Sequence, residues 1–364
     1  MIYKLTDQYR QKKLTDKLLE NIRLISKKKI RIMEVCGTHT MSIYRHGINS
    51  LLPDTIKLIS GPGCPVCVTS QDDIDIFIEA GNIENSIITS FGDLMRVPGS
   101  KSSLMKEKAK GKDIRIVNSP LDALKIAYEN PDKQIIFLGI GFETTVPTIA
   151  ASIIKAYEKK IDNYSIISSN KLVPPAVENL LEQKKTNIAG FLLPGHVSTI
   201  IGLNAYSNIL KYNVPGVVAG FEPVDILAAI LDLVENIEKN NTILKNDYPR
   251  AVNNYGNKKA LDLIDKCYYI SDINWRGLGQ IKNSGLFIRD KYEQYNALKK
   301  FKISITKQPE NKKCLCGDIL MGVKEPPDCS LFQKGCTPEN PIGPCMVSSE
   351  GTCAAFSKYR VLML

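Results

Sequence analysis

Residues 134–145 read QIIFLGIGFETT, a continuous apolar run that ends at two glycines and leads into the polar start of a helical stretch. Seven further short apolar runs lead into turns that carry Gly or Pro. Amphipathic stretches of helical length lie between them. Apolar strands that alternate with helices are typical of buried parallel sheets. The seven runs are KIRIMEV (29–35), IKLIS (56–60), SIITSFG (86–92), IRIVNSP (114–120), YSIISS (164–169), IAGFLLPG (188–195) and VPGVVAG (214–220); the helical stretches are 71–81, 121–129, 144–160, 175–184 and 223–239.

The length of the chain predicts more than one domain, because 364 residues exceed what one hydrophobic core usually accommodates. About eight strands over some 200 residues indicate two doubly wound, Rossmann-like α/β domains. We predict a helical segment at 1–28, whose helix covers 8–28, and α/β domains at 29–135 and 136–270. Residues 271–364 lose the alternating pattern and form a small, irregular, cysteine-rich C-terminal domain.

Composition and charge exclude some classes of function. The formal net charge is +10, but the lysines are scattered and lack the aromatic neighbours of a nucleic-acid groove. The positive charge could instead attract an acidic partner protein. The N-terminus has no apolar secretion signal, and no apolar run reaches the roughly 18–20 residues of a membrane span. We therefore predict a cytoplasmic protein, in which ten cysteines serve metal ligation or redox chemistry rather than structural disulfides.

Six of the ten cysteines lie close together near the C-terminus. Four thiolates are enough to hold a [4Fe–4S] cluster. Zinc uses the same number of ligands, but its structural sites usually pair two short CxxC motifs, which are not present here. We predict Cys329, Cys336, Cys345 and Cys353 as the cluster ligands. Cys314 or Cys316 could replace one of them or form a nearby redox pair.

Three more cysteines follow the first two predicted strands. Cys36 belongs to CGTHT (36–40), together with His39, and GPGCPVC (61–67) contains Cys64 and Cys67. If strands 29–35 and 56–60 are parallel neighbours, the three thiols lie at the same sheet edge. The arrangement is compatible with a thioredoxin-like dithiol or with an open iron site of three soft ligands.

Two other strand-end loops carry chemically active side chains. Glu143 lies in GIGFETT (139–145), whose backbone amides could receive an anion, although neither nucleotide-binding fingerprint is present. An equally simple explanation is that Glu143 is a carboxylate in the first turn of a helix, where the helix dipole favours a negative charge. His196 lies in LPGHVS (193–198), and a single histidine is often only a structural hydrogen-bonding group.

Five motifs together resemble the HypD family of hydrogenase maturation factors: CGTHT (36–40), GPGCPVC (61–67), GFETT (141–145), PGHVS (194–198) and CMVSSEGTC (345–353). The resemblance implies a scaffold that assembles the Fe(CN)₂CO moiety of [NiFe]-hydrogenase in complex with the chaperone HypC. HypE and HypF would supply cyanide. It also implies a C-terminal [4Fe–4S] cluster.

The resemblance further assigns roles to residues. Cys36, Cys64 and Cys67 would be the essential thiols that bind Fe(II) carrying CN and CO, and His39, Glu143 and His196 would line the same cleft. The cluster would reduce the Cys64/Cys67 pair or the bound iron, so the protein would be a redox-active scaffold rather than a conventional enzyme. The alternatives are an iron–sulfur-dependent thiol/disulfide oxidoreductase, a zinc-stapled interaction protein and a nucleotide-binding α/β enzyme.

Overall fold

The computed structural model describes residues 12–309 and 311–359. The strands are β1 (Ile30–Glu34), β2 (Ile56–Ser60), β3 (Ser86–Ser90), β4 (Ile114–Ile116), β5 (Gln134–Gly141), β6 (Tyr164–Lys171), β7 (Gly190–Pro194), β8 (Gly216–Ala219), β9 (Leu244–Asn246), β10 (Tyr268–Trp275) and β11 (Gly279–Ile288). The helices are α1 (Lys12–Ile25), α2 (Gly37–Arg45), α3 (Ile48–Leu51), α4 (Pro65–Val68), α5 (Gln71–Ala80), α6 (Leu104–Ala109), α7 (Pro120–Glu129), α8 (Val146–Glu158), α9 (Val173–Gln183), α10 (Gly195–Ile201), α11 (Pro223–Glu238), α12 (Lys258–Cys267), α13 (Ala297–Phe301), α14 (Cys316–Leu320) and α15 (Thr352–Tyr359). Short 3₁₀ segments cover Gly92–Arg96, Leu203–Tyr212, Asp290–Tyr295, Pro326–Asp328 and Pro344–Met346.

The first sheet has the strand order β2-β1-β7-β8-β9, and all its pairings are parallel. Ile32 of β1 pairs with Leu58 on one side and with Gly190 on the other. Its strands are largely apolar because helices cover both faces. Their carboxyl ends therefore share one edge, as expected for neighbouring parallel strands.

The second sheet has the order β10-β11-β6-β5-β3-β4. Strands β6, β5, β3 and β4 pair in parallel. Strands β10 and β11 form an antiparallel hairpin, and β11 joins it to the sheet by pairing antiparallel with β6. Two sheets dominated by parallel strands, with a cysteine-rich C-terminal region, confirm the predicted fold class. The antiparallel hairpin was not predicted, because polar residues interrupt its strands and no continuous apolar run, the signal used to find the other strands, is present in them.

The predicted domain boundaries do not follow the sheets. The boundary at 135/136 falls inside β5, and strands β3 and β4, assigned to the first domain, belong to the second sheet. Residues 271–288 were assigned to the C-terminal domain, but they form most of the β10–β11 hairpin and so belong to the second sheet. The chain leaves the first sheet after β2 and returns with β7, so contiguous boundaries could not describe it.

Helix α1 lies within the predicted helical segment 1–28, of which residues 1–11 fall outside the described residues. Leu19 and Ile22 are buried and belong to an apolar cluster with α11 and the first sheet. Leu24, by contrast, is 64% exposed. The helix covers the first sheet rather than forming a separate segment.

A continuous apolar core lies between the two sheets and reaches the C-terminal region. It includes Met33 and Ile59 from the first sheet, Ile136 from the second, and Cys345 from the C-terminal region. The cysteine-rich region is thus packed against both sheets. Within residues 12–309 and 311–359, every helix is too short or too polar to span a bilayer.

Candidate functional site

Three loops of the first sheet meet at the carboxyl ends of its strands. Strands β1 and β2 are parallel neighbours, as the sequence analysis required for its three-thiol site. CGTHT follows β1, GPGCPVC follows β2, and PGHVS begins at the last residue of β7, which is the other neighbour of β1. The topology therefore places these three motifs side by side.

The CGTHT and GPGCPVC loops touch through Gly63. The amide of Gly37 donates a hydrogen bond of 3.0 Å to the carbonyl of Gly63. A Cβ atom placed on Gly63 would lie only 2.2 Å from the backbone nitrogen of Cys36. A glycine is therefore required here for the two loops to approach each other.

Cys64 and Cys67 form a disulfide in this structure. Pro65 starts the short helix α4 between them, and the amide of Cys67 lies 3.1 Å from the Cys64 sulfur. Both cysteines are buried, whereas Cys36 is a free thiol. Among the described residues, no three His, Cys, Asp or Glu side chains are arranged to hold a metal ion. The predicted iron site thus requires reduction of this disulfide.

Cys36 is held in a strongly desolvated environment. Burial raises the pKa of its thiol to about 12, so the thiol is neutral unless a cation stabilises the thiolate. The buried carboxyl of Glu34 accepts a hydrogen bond of 3.0 Å from the Cys36 amide, and burial raises the pKa of Glu34 to about 8. The sequence analysis missed Glu34, although a carboxylate at the end of the apolar run KIRIMEV was a usable signal.

His39 and His196 both contact the ring of Phe221. His39 is fully buried and its Nε2 lies 2.9 Å from the carbonyl of Gly220. Burial lowers the pKa of His39 to about 4, so the ring is neutral and Nε2 donates. Its buried Nδ1 is left without a hydrogen-bond partner in the described structure. The His196 ring stacks on Phe221 with centroids 3.9 Å apart, and His196 is exposed.

Glu143 comes from the second sheet and faces the same interior. Its Oε1 accepts a hydrogen bond of 2.9 Å from the Val173 amide, and burial raises its pKa to about 7. Burial raises the pKa of Tyr206, and the nearby groups Glu143 and Cys36 raise it further. The Tyr206 phenol therefore lies near both the Glu143 carboxyl and the Cys36 thiol. No motif pointed to Tyr206.

All six C-terminal cysteines line one small cavity, which Phe332 and Met346 also border: Cys314, Cys316, Cys329, Cys336, Cys345 and Cys353. The Cys316 and Cys353 thiols lie next to Cys345 and raise its pKa well above the ordinary value. Thiols are the donor type that an iron–sulfur cluster uses, so the chemistry of this lining fits such a cluster, although no three of the described cysteines are arranged to hold a metal ion in this structure. The arrangement brings all six cysteines together and does not separate four ligands from two.

The C-terminal region contacts both thiol loops. The Cys67 sulfur lies 4.0 Å from the carbonyl oxygen of Pro344, the residue before Cys345. Glu350 accepts a hydrogen bond of 2.9 Å from the Thr38 hydroxyl and packs against Gly37. Glu350 lies inside the CMVSSEGTC motif but was not singled out, because only the cysteines of that motif were considered. The disulfide thus lies between Cys36 and the cysteine-lined cavity.

These features define a two-sheet α/β protein that brings a free thiol and a CxxC disulfide together at one sheet edge, next to a region in which six cysteines line one cavity. The family described as "Hydrogenase formation hypA family", HypD, matches residues 13–360. Hydrogenase maturation factor HypD2 of Bradyrhizobium diazoefficiens is 43% identical and covers 98% of this chain and 97% of its own.

Two further relatives match over similar lengths. HypD of Escherichia coli is 40% identical, covering 97% of each chain. A putative hydrogenase expression/formation protein of Methanocaldococcus jannaschii is 42% identical, covering 95% of this chain and 97% of its own. The chain belongs to the HypD family and is a hydrogenase maturation factor.

Proposed function

We propose that this maturation factor, in complex with a HypC-type chaperone, holds the iron of the Fe(CN)₂CO moiety while that moiety is assembled. The iron is the cargo, and Cys36, Cys64 and Cys67 are its ligands once the disulfide is reduced. The observation that carries the proposal is the position of the disulfide: the Gly63 loop packs on Cys36, and Cys67 contacts the residue before Cys345.

The surroundings of Cys36 suit a soft, low-spin iron. Thiolates are soft, electron-rich ligands. Because the site is buried, a thiolate is stable there only when a cation compensates its charge, which couples ionisation of Cys36 to iron binding. Buried, neutral His39, buried Glu143 and exposed His196 would lie around the bound iron and orient the incoming ligands.

Electron supply is the second part of the proposal. Releasing cyanide from a partner's thiocyanate breaks the S–C bond and gives a thiolate and cyanide, which consumes two electrons. The Cys64/Cys67 dithiol supplies two electrons when it is oxidised to the disulfide. A [4Fe–4S] cluster held by Cys329, Cys336, Cys345 and Cys353, with Cys314 or Cys316 as substitutes, would provide electrons to restore the dithiol.

The same proposal assigns partners and location. A HypE-type protein would deliver cyanide transiently, and a HypF-type protein would act upstream of it. The net charge of +10 favours acidic partner surfaces. A site that alternates between dithiol and disulfide needs a reducing compartment, which supports a cytoplasmic location.

The test is anaerobic purification of the protein with its HypC-type partner, followed by iron analysis and infrared spectroscopy. We expect more than the roughly four irons of one cluster per chain, and cyanide and CO stretching bands. Both the extra iron and the bands should disappear in Cys36→Ala. Cys267→Ala is the matched control, because Cys267 is buried in a different core cluster. Bands that persist in Cys36→Ala would refute the assignment of Cys36.

The disulfide also favours a second candidate, an iron–sulfur-dependent thiol/disulfide oxidoreductase. A simple reductase needs Cys64 and Cys67 but not Cys36. Turnover of a disulfide substrate that survives Cys36→Ala, together with no infrared bands in the wild-type complex, would favour this candidate over the scaffold.

A further inference from the structure

Arg276 lies at the turn of the β10–β11 hairpin and is fastened to the chain directly after the CxxC disulfide. Its amide donates a hydrogen bond of 2.8 Å to the carbonyl of Val68, and its Nε donates one of 2.8 Å to the carbonyl of Thr69. Val68 is the residue after Cys67. The side chain is thus held in place by the redox loop itself.

The same turn abuts the cysteine-rich region. A Cβ atom on Gly277, whose φ is +79°, would lie 2.2 Å from the Cα of Gly317, the residue after Cys316. Arg276 lines a pocket of about 340 Å³ together with Cys314 and Cys316. The guanidinium therefore lies between the disulfide loop and the Cys314–Cys316 segment.

The positive charge of Arg276 is not balanced by a side chain of the described structure. The residue is 8% exposed, its Nη2 has no hydrogen-bond partner, and it forms no ion pair with a described carboxylate. Asp75 accepts a hydrogen bond from the Ser100 amide at the pocket wall, and Asp72 pairs with Lys307. Because a guanidinium cannot lose its proton and an uncompensated buried charge is unfavourable, an anionic group should balance it.

We infer that Arg276 is a positioning cation for the C-terminal cluster and for the adjacent Cys64–Cys67 pair, whose charge stabilises the more negative, reduced form of each and so raises the reduction potential of both. The inference rests on the cluster of the proposed function. A cluster with four thiolates is anionic and gains one more negative charge when a low-potential donor gives it one electron, with no bond made or broken. Nearby fixed charges and hydrogen bonds tune such potentials.

The experiment is a potentiometric titration of the full-length, anaerobically reconstituted protein, followed by electron paramagnetic resonance of the reduced cluster. In Arg276→Gln we expect the reduced-to-oxidised ratio at fixed potential to fall at least tenfold, which is 59 mV for a one-electron couple. Arg276→Lys keeps the charge and should stay near the wild type. Arg96→Gln is the control, since Arg96 donates to the carbonyls of Pro338 and Val347 in the same region.

The outcomes separate this inference from the proposed function. If the wild-type protein is brown and its cluster has the same reduction potential in Arg276→Gln, the inference is overturned while the proposed function stands. Wild-type protein that takes up no iron after reconstitution would contradict the cluster, and the inference with it. If Arg276→Gln folds but loses the cluster, alkylation of Cys64 and Cys67 in a dithiothreitol redox buffer replaces the titration. The reduced fraction should then fall in Arg276→Gln and not in Arg276→Lys, and equal fractions would overturn the inference.

Discussion

Replacing Gly63 by alanine should push the CGTHT and GPGCPVC loops apart. The added Cβ would lie 2.2 Å from the Cys36 nitrogen and 2.4 Å from its Cα. These are backbone atoms, so no side-chain rotation relieves the contact. Reaching an ordinary contact of 3.4 Å requires a movement of about 1.2 Å. Such overpacking costs about 1–3 kcal/mol, and loss of the hydrogen bond from Gly37 to Gly63 costs about 1 kcal/mol more.

We therefore expect Gly63→Ala to lower the free energy of unfolding by about 2–4 kcal/mol and to abolish iron binding beyond the cluster. Urea denaturation and iron analysis of the complex measure the two effects. Gly92→Ala is the matched control, because its Cβ would meet only Ile116, at 3.7 Å. If Gly63→Ala were as stable as Gly92→Ala and bound as much iron as the wild type, the proposed contact between the two loops would be wrong.

Three further predictions concern other parts of the molecule. Burial raises the pKa of Glu143 from 4.5 to about 7, so the folded protein holds a proton in this window and loses stability as the pH rises through it. The free energy of unfolding of Glu143→Gln, relative to that of the wild type, should therefore increase by up to roughly 3 kcal/mol between pH 5 and pH 8. Urea denaturation that gives the same difference between the two proteins at both pH values would refute this. Asp225→Asn breaks a buried bidentate pair with Arg250, whose guanidinium is partly exposed, so denaturation should show a loss of about 1–2 kcal/mol; no loss would contradict the pair. Removing iron with a chelator should make residues 311–359 the first region cut in limited proteolysis, and reconstitution should restore protection; identical cleavage patterns would argue against a stabilising cluster.

The sequence located local elements well. The bounds of β2 and β5 agree with the predicted runs, and helix α5 differs from the prediction by one residue. These segments carry their signal in their own residues, as apolar runs ended by Gly and Pro. The neighbouring positions of the CGTHT and GPGCPVC loops could be predicted too, because consecutive parallel strands often pair.

Pairing between distant strands could not be predicted. Strand β1 pairs with β7 across more than 150 residues of sequence, and nothing in either strand identifies its partner. Polar and exposed residues interrupt both strands of the β10–β11 hairpin, which therefore lacks a continuous apolar run. Glu34, Tyr206 and Arg276 were missed for a related reason: each becomes significant only through neighbours that the fold brings to it.

The interleaved sheets have a consequence for synthesis of the chain. Cys36, Cys64 and Cys67 leave the ribosome early, but β7, which pairs with β1, is made more than 120 residues after Cys67. Contacts between such distant segments slow folding and leave intermediates exposed. The nascent chain therefore carries three thiols before the strand and the C-terminal region that bury them exist. An N-terminal fragment ending before β7 would contain every proposed iron ligand and still lack the closed site, so under the proposed function we expect iron to be delivered after the chain is complete.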